Sequence, residues 1–187
     1  METLSTSLIR LSWNGMTKLR IGIFGGSFDP PHIGHLILAA ECAEQLHLHK
    51  VLWLVTGNPP HKQDRILIDP EIRAEMVRLS IQENSQFELS RVEMDRPGPH
   101  YASDSINFLR VQYPQDKLIY LVGEDSLESL PTWHNPRELI HDIDELGIMS
   151  HKNIETDLNK LDNQIPGIRS KAKFIQTPEI DISSTEI

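Results

Sequence analysis

Cysteine is nearly missing from this chain. One residue of 187, Cys42, carries a thiol. That excludes an internal disulfide framework and a cysteine-rich zinc site, and it predicts a reducing, cytoplasmic setting. No stretch approaches the roughly 18 consecutive apolar residues of a membrane span, so no membrane partner is expected. Residues 1–17 lack the apolar run of a secretory leader, and Glu2 stands where such a leader is basic. They read as an N-terminal extension, with Met16 just ahead of the first strand. Positive charge is also scarce: 18 Lys and Arg face 27 Asp and Glu, giving a net charge of -9 and a pI near 5.4. This argues against a nucleic-acid partner, which needs a basic face, but leaves room for a local pocket for one phosphorylated ligand. What remains, 39% hydrophobic and 24% charged residues, suits a globular chain. Its length fits one domain at about 150 residues each.

The order of elements is legible from periodicity. Leu19 to Phe24 alternates and runs into Gly25-Gly26, a strand stopped by a turn. From Gly34 the apolar residues Leu36, Ala39, Ala40, Ala43 and Leu46 recur at helical spacing. Val51 to Val55 is continuously apolar, as in a parallel strand covered on both faces. Residues 56–69 form a polar loop, and Pro70 opens a second helix through Ile72, Met76, Val77 and Leu79. Phe87 to Met94 is expected as a strand, Ala102 to Val111 as a helix, Leu118 to Val122 as a strand and Pro136 to His141 as a helix. Short runs follow at 172–176 and 179–182. Strands alternating with helices predict an α/β fold, doubly wound, with a mostly parallel sheet of Rossmann-like kind. Ligands of such sheets bind at the carboxyl ends of the strands, so the loops that start at Gly25, Gly57 and Gly123 should meet there.

The first of these loops carries the chemistry. It reads Gly25-Gly26-Ser27-Phe28-Asp29-Pro30-Pro31-His32-Ile33-Gly34-His35. Two glycines let backbone approach a ligand, and two prolines stiffen the path. The helix start that follows offers free N–H groups to an anion. His32 and His35, three apart at that start, can both lean toward a phosphate. The loop is neither a Walker A sequence nor a dinucleotide Gly-x-Gly-x-x-Gly. A lone histidine or Gly-Gly pair is usually a solvated side chain or a plain turn; the combination is not.

That run resembles the nucleotidylyltransferase superfamily, whose signature is Gly-x-Phe-Asp-Pro-x-His-x-Gly-His. Further stretches are similar to those of bacterial nicotinate mononucleotide adenylyltransferases: Asn58-Pro59-Pro60-His61-Lys62, Arg96-Pro97-Gly98-Pro99-His100-Tyr101 with Asp104-Ser105, Gly123-Glu124-Asp125-Ser126-Leu127 leading to Trp133, and Ile182-Ser183-Ser184-Thr185. The resemblance covers residues 19–187 and implies a nucleotidylyltransferase domain over 18–187. It implies an enzyme that joins ATP and nicotinate mononucleotide into nicotinate adenine dinucleotide and pyrophosphate, with Mg²⁺, in NAD biosynthesis. His32 and His35 would be catalytic and hold charge at the α-phosphorus. Gly25, Gly26, Ser27, Phe28, Gly34, Gly123, Asp125, Ser183, Ser184 and Thr185 would bind ATP. Asn58, His61, Lys62, Tyr101, Ala102, Trp133 and His134 would bind the mononucleotide, Trp133 by stacking and the backbone near Ala102 and His134 through the ring carboxylate. No protein-bound metal site is implied, and homo-oligomeric assembly is compatible with the pattern.

The sequence departs from that pattern in places. The family continues Ile-Ser-Ser-Thr-x-Ile with Arg and a C-terminal helical segment, and this sequence stops at Ile187. Ala102 replaces a Thr, and Ser150-His151-Lys152 stands where the family has Arg-Pro or Arg-Gly after the strand near 148. Two rival readings keep the fold: another phosphate-ester acceptor, such as pantetheine phosphate, or a nucleotide-binding relative without transfer. A metal protein, suggested by nine histidines, is disfavoured because no carboxylate or cysteine stands beside them at zinc-like spacing.

Overall fold

A computed structural model of the chain describes residues 18–57, 67–150 and 157–187. Its centre is a six-stranded sheet in the order β3-β2-β1-β4-β5-β6, parallel at every pairing. The strands are β1 (Arg20–Gly26), β2 (Lys50–Val55), β3 (Phe87–Ser90), β4 (Lys117–Gly123), β5 (Glu145–Ser150) and β6 (Ala172–Gln176). This is the order of the doubly wound dinucleotide-binding fold, with its switch point between β1 and β4. The helices are α1 (Ile33–Gln45), α2 (Pro70–Ile81), α3 (Ala102–Gln112), α4 (Glu124–Ser129), α5 (Pro136–Asp142), α6 (Leu158–Gln164) and α7 (Ile168–Lys171).

The continuous apolar runs are explained by two cores, one on each face. Ile21, Ile23, Leu52, Leu54, Leu118 and Tyr120 face one, with Ile106 and Leu109 of α3. Phe24, Val51, Trp53 and Val55 face the other, with Ala39, Cys42 and Ala43 of α1. Each fully buried aliphatic side chain in these layers is worth about 1.5–3 kcal/mol of transfer free energy. Burial pushes the Cys42 thiol up to about 12, with Glu41 adding to the shift, so it supplies no thiolate. Across the amino ends of the strands, Arg20 of β1 grips Glu145 of β5 through two bonds of 2.9 and 2.7 Å, spanning the intervening β4.

Several expectations are corrected. The strand predicted over 87–94 ends at Ser90, because Glu93 turns inward to accept a hydrogen bond from the Ser105 hydroxyl at 2.7 Å. The stretch after Gly123, read as loop, forms α4, and the polar region before 164 contains α6, capped by the Asp157 carboxylate. The hydroxyls at 183–185 lie in a turn closed by the Glu186 N–H on the Ser183 carbonyl at 3.1 Å. The second helix and the helix at 136 begin at their prolines, as predicted.

Candidate active site

The parallel order brings the carboxyl ends of β1, β2 and β4 side by side, and the site is built on them. Gly25 and Gly26 close β1, and the Thr56 N–H at the end of β2 donates to the Gly26 carbonyl at 2.9 Å. Phe28 takes a left-handed backbone, φ 46°, which folds its ring into the core at 2% exposure. That ring packs edge-on to His35 with centroids 5.1 Å apart. Phe28 therefore offers a ligand its backbone, while its side chain forms the floor beneath His35. A Cβ on Gly26 would lie 3.0 Å from this same ring.

His32 caps α1 and His35 lies one turn inside it. The His32 N–H donates to Nδ1 of His35 at 3.2 Å. With Nδ1 accepting, a neutral His35 ring carries its proton on Nε2, which makes that nitrogen a donor. The two imidazoles lie 3.7 Å apart, centroid to centroid, inclined by 34°. Burial pulls the pKa of His32 below the ordinary histidine value. Gly34 makes room for the stack: a Cβ there would stand 3.0 Å from Nδ1 of His32 and 3.3 Å from Ile180.

Residues 177–187 fold back onto this helix start. The Ser184 hydroxyl donates to the Pro30 carbonyl at 2.8 Å, and Ile180 lies against Gly34. Ser183 turns away, donating to the Glu186 carboxylate at 2.8 Å. Thr185 is exposed in the same turn. An adjoining cleft of about 290 Å³ is lined by Gly123, Asp125, Ser126, Leu38, Met149 and Ile180, among others. A Cβ on Gly123 would meet nothing within 4 Å, so this backbone is open to approach.

The second group of predicted residues gathers on the other side of β4. Tyr101 caps α3 and Ala102 is its first residue. The Tyr101 ring stacks on His134 at 4.0 Å and 23°, and the Ser103 hydroxyl reaches the His134 carbonyl at 3.4 Å. Trp133 is half-buried, meets Tyr120 edge-on at 6.3 Å and donates from Nε1 to Ser129 at 3.3 Å. The Tyr120 hydroxyl in turn lies 3.4 Å from where Gly25 would carry a Cβ. Trp133 and the first loop are thus linked through one buried phenol, whose pKa is pushed up by burial with Glu93 adding to it. Asn58, His61 and Lys62 lie outside the described residues, as do His151 and Lys152.

Two contributors escape sequence reasoning. Arg73 of α2 is fully buried and hydrogen-bonds the carbonyls of Ser27, Thr56 and Gly57. Burial pulls its guanidinium down from the usual range, against the charges of Asp29 and Asp69. Glu93, at 5% exposure, accepts from Ser105, which also receives Arg96 at 3.0 Å; this network sits beneath the start of α3. An arginine on a helix and a glutamate after a strand both read as solvent-facing. The one available signal was that Arg73 falls among Ala74 and Val77 on the apolar side of α2.

A parallel Rossmann-like sheet whose first loop stacks two histidines at a helix start defines a nucleotidylyltransferase. The comparisons narrow the class. The cytidylyltransferase-like family model matches residues 23–187. A Thermomicrobium roseum protein named probable nicotinate-nucleotide adenylyltransferase is 42% identical over 168 residues, 90% of this chain and 78% of that one. The nicotinate-nucleotide adenylyltransferase of Bacillus subtilis is 39% identical over 169 residues, 90% and 83% of the two chains. The chain belongs to the nicotinate-nucleotide adenylyltransferase family. Among solved structures, the Plasmodium falciparum nicotinic acid mononucleotide adenylyltransferase complexed with NaAD superposes with a TM-score of 0.72 at 20% identity, covering 90% of this chain and 82% of that one, a likeness of fold. No helix among the described residues is long and apolar enough to cross a membrane.

Proposed function

We propose that this enzyme transfers the adenylyl group of ATP to nicotinate mononucleotide, yielding nicotinate adenine dinucleotide and pyrophosphate. A phosphate oxygen of the mononucleotide attacks the α-phosphorus; that P–O bond forms as the bond to the β,γ-diphosphate breaks. The attacking phosphate is already ionised at neutral pH, so no side chain needs to remove a proton. His35 Nε2–H and the N–H groups at the start of α1 face the oxygens where charge accumulates. The site's remaining work is to hold two nucleotides in line.

ATP enters as its Mg²⁺ complex. The ion belongs to the nucleotide substrate. Gly25, Gly26, Ser27 and the N-terminus of α1 lie along the triphosphate, with Gly34, Ser184 and Thr185 beside it. The adenosine occupies the cleft at Gly123 and Asp125. Trp133 stacks on the pyridine ring, and the first N–H groups of α3, at Ala102, meet its carboxylate next to Tyr101 and His134. Asn58, His61 and Lys62 are assigned to the acceptor on the sequence pattern alone.

The observation that carries this reading is the stacked pair of His32 and His35 at 3.7 Å over the start of α1. Its family membership supports the choice of acceptor. The test is pyrophosphate release from ATP with nicotinate mononucleotide, nicotinamide mononucleotide, 4′-phosphopantetheine or no acceptor. Release with the first, and a dinucleotide product on chromatography, is expected. Release only with another acceptor, or none at all, would overturn it.

A further inference from the structure

Every side-chain nitrogen of Arg73 is engaged by carbonyls from three different segments. Nε donates to Ile68 at 2.8 Å, ahead of α2. One terminal nitrogen donates to Ser27 in the first loop and to Thr56 after β2, the latter at 2.9 Å. The other donates to Gly57 at 3.3 Å. The residue is 0% exposed. Burying a guanidinium without a carboxylate in hydrogen-bond contact is costly, and only a dense set of carbonyl acceptors makes it tolerable. A core that needed filling alone would be served better by leucine or methionine. What the guanidinium adds is a planar fork with fixed donor directions, which sets the spacing of the groups it binds.

Those groups are not arbitrary. Ser27 sits between the paired glycines and Phe28, whose ring is the floor under His35. Thr56 is tied to the same loop by its N–H on the Gly26 carbonyl. Gly57 abuts His100, ahead of α3, where a Cβ would stand 3.0 Å from the imidazole. One side chain therefore spans the loop assigned to ATP and the edge of the region assigned to the acceptor.

We infer that Arg73 is a positioning residue for adenylyl transfer: it sets the first loop against the end of β2 so that the two bound nucleotides meet in line. This rests on the adenylyl-transfer reading above. Arg73 touches neither substrate. Its effect falls on geometry, so its loss should lower kcat more than it raises either KM. Lysine keeps the charge and cannot span three segments.

The experiment compares wild type, R73K and R73M at a temperature where circular dichroism shows each variant folded. Steady-state kinetics with ATP and nicotinate mononucleotide is paired with amide hydrogen exchange of the intact protein. R73K is expected to lose about tenfold to a hundredfold in kcat, with each KM within about threefold. The Thr56 N–H is expected to exchange at least about tenfold faster, while the β4 amides keep their protection. R73M should be no better than R73K, since charge alone is not the function. Wild-type kcat in a folded R73K, or unchanged Thr56 exchange, would overturn the proposal. So would failure of both variants to fold at any temperature, which would assign Arg73 to the core alone. Wild-type inactivity with nicotinate mononucleotide would refute the assigned reaction instead; the exchange result still decides whether Arg73 holds the loops.

Discussion

Gly34→Ala should separate stability from activity. Gly34 is the second residue of α1, and its backbone is one that alanine adopts without strain. On propensity alone the substitution stabilises a helix by up to about 1 kcal/mol, less near an end. The added methyl would stand 3.0 Å from Nδ1 and 3.1 Å from Cε1 of His32, and 3.3 Å from Ile180. Relaxed contacts need about 3.5–4.0 Å, so the imidazole must give by roughly half an ångström. It cannot do so without disturbing the ring of His35 stacked on it at 3.7 Å. Displacements of about 1 Å in a reacting assembly cost about a hundredfold, so about tenfold in kcat is expected here. The propensity gain and the contact strain roughly cancel, leaving the unfolding free energy from urea titration within about 1 kcal/mol of wild type. Pyrophosphate release at saturating substrates and urea unfolding read the two quantities. A kcat within about twofold of wild type would show that the stacked geometry is not what catalysis uses.

Three other outcomes are expected. His35→Ala should lower kcat by about a hundredfold or more while changing mononucleotide KM little, because Nε2–H acts where charge develops; equal losses in binding and turnover would contradict this. Trp133→Ala should raise the mononucleotide KM by about tenfold and leave that of ATP unchanged, and an unaltered mononucleotide KM would remove the stacking assignment. Arg20 holds the Glu145 carboxyl below the usual carboxylate range, largely through their hydrogen bonds. Its folded pKa lies below the unfolded one, so the stability it contributes is complete above the ordinary glutamate pKa and is lost as pH falls through the folded value. Urea midpoints measured from pH 7 downward should fall less steeply in Glu145→Gln than in wild type; parallel curves would refute the linkage.

What the sequence disclosed follows from where its signals are strong. Val51–Val55 and Leu118–Val122 are buried on both faces, so their runs are unbroken and easily read. The turn-and-histidine loop combines glycine, proline and a helix start, features that local chemistry dictates. The inward turn at Glu93 hides because Val92-Glu93-Met94 continues an alternating pattern, and only Ser105, twelve residues on, explains why the strand stops. α4 hides because Glu124 and Asp125 follow a glycine and read as a polar loop. Arg73 hides because its partners are backbone carbonyls from three segments, contacts that no residue type announces. Phe28 was legible as part of the motif, but not the direction of its ring, which depends on one left-handed residue.

The stereochemistry of transfer tests the central claim most directly. With ATP made chiral at the α-phosphorus by sulfur substitution, and nicotinate mononucleotide as acceptor, a single in-line attack inverts the configuration in the dinucleotide. Inversion is the predicted result. Retention would require an adenylylated side chain and two successive displacements, and it would contradict a site in which the stacked histidines only orient the nucleotides and steady the charge.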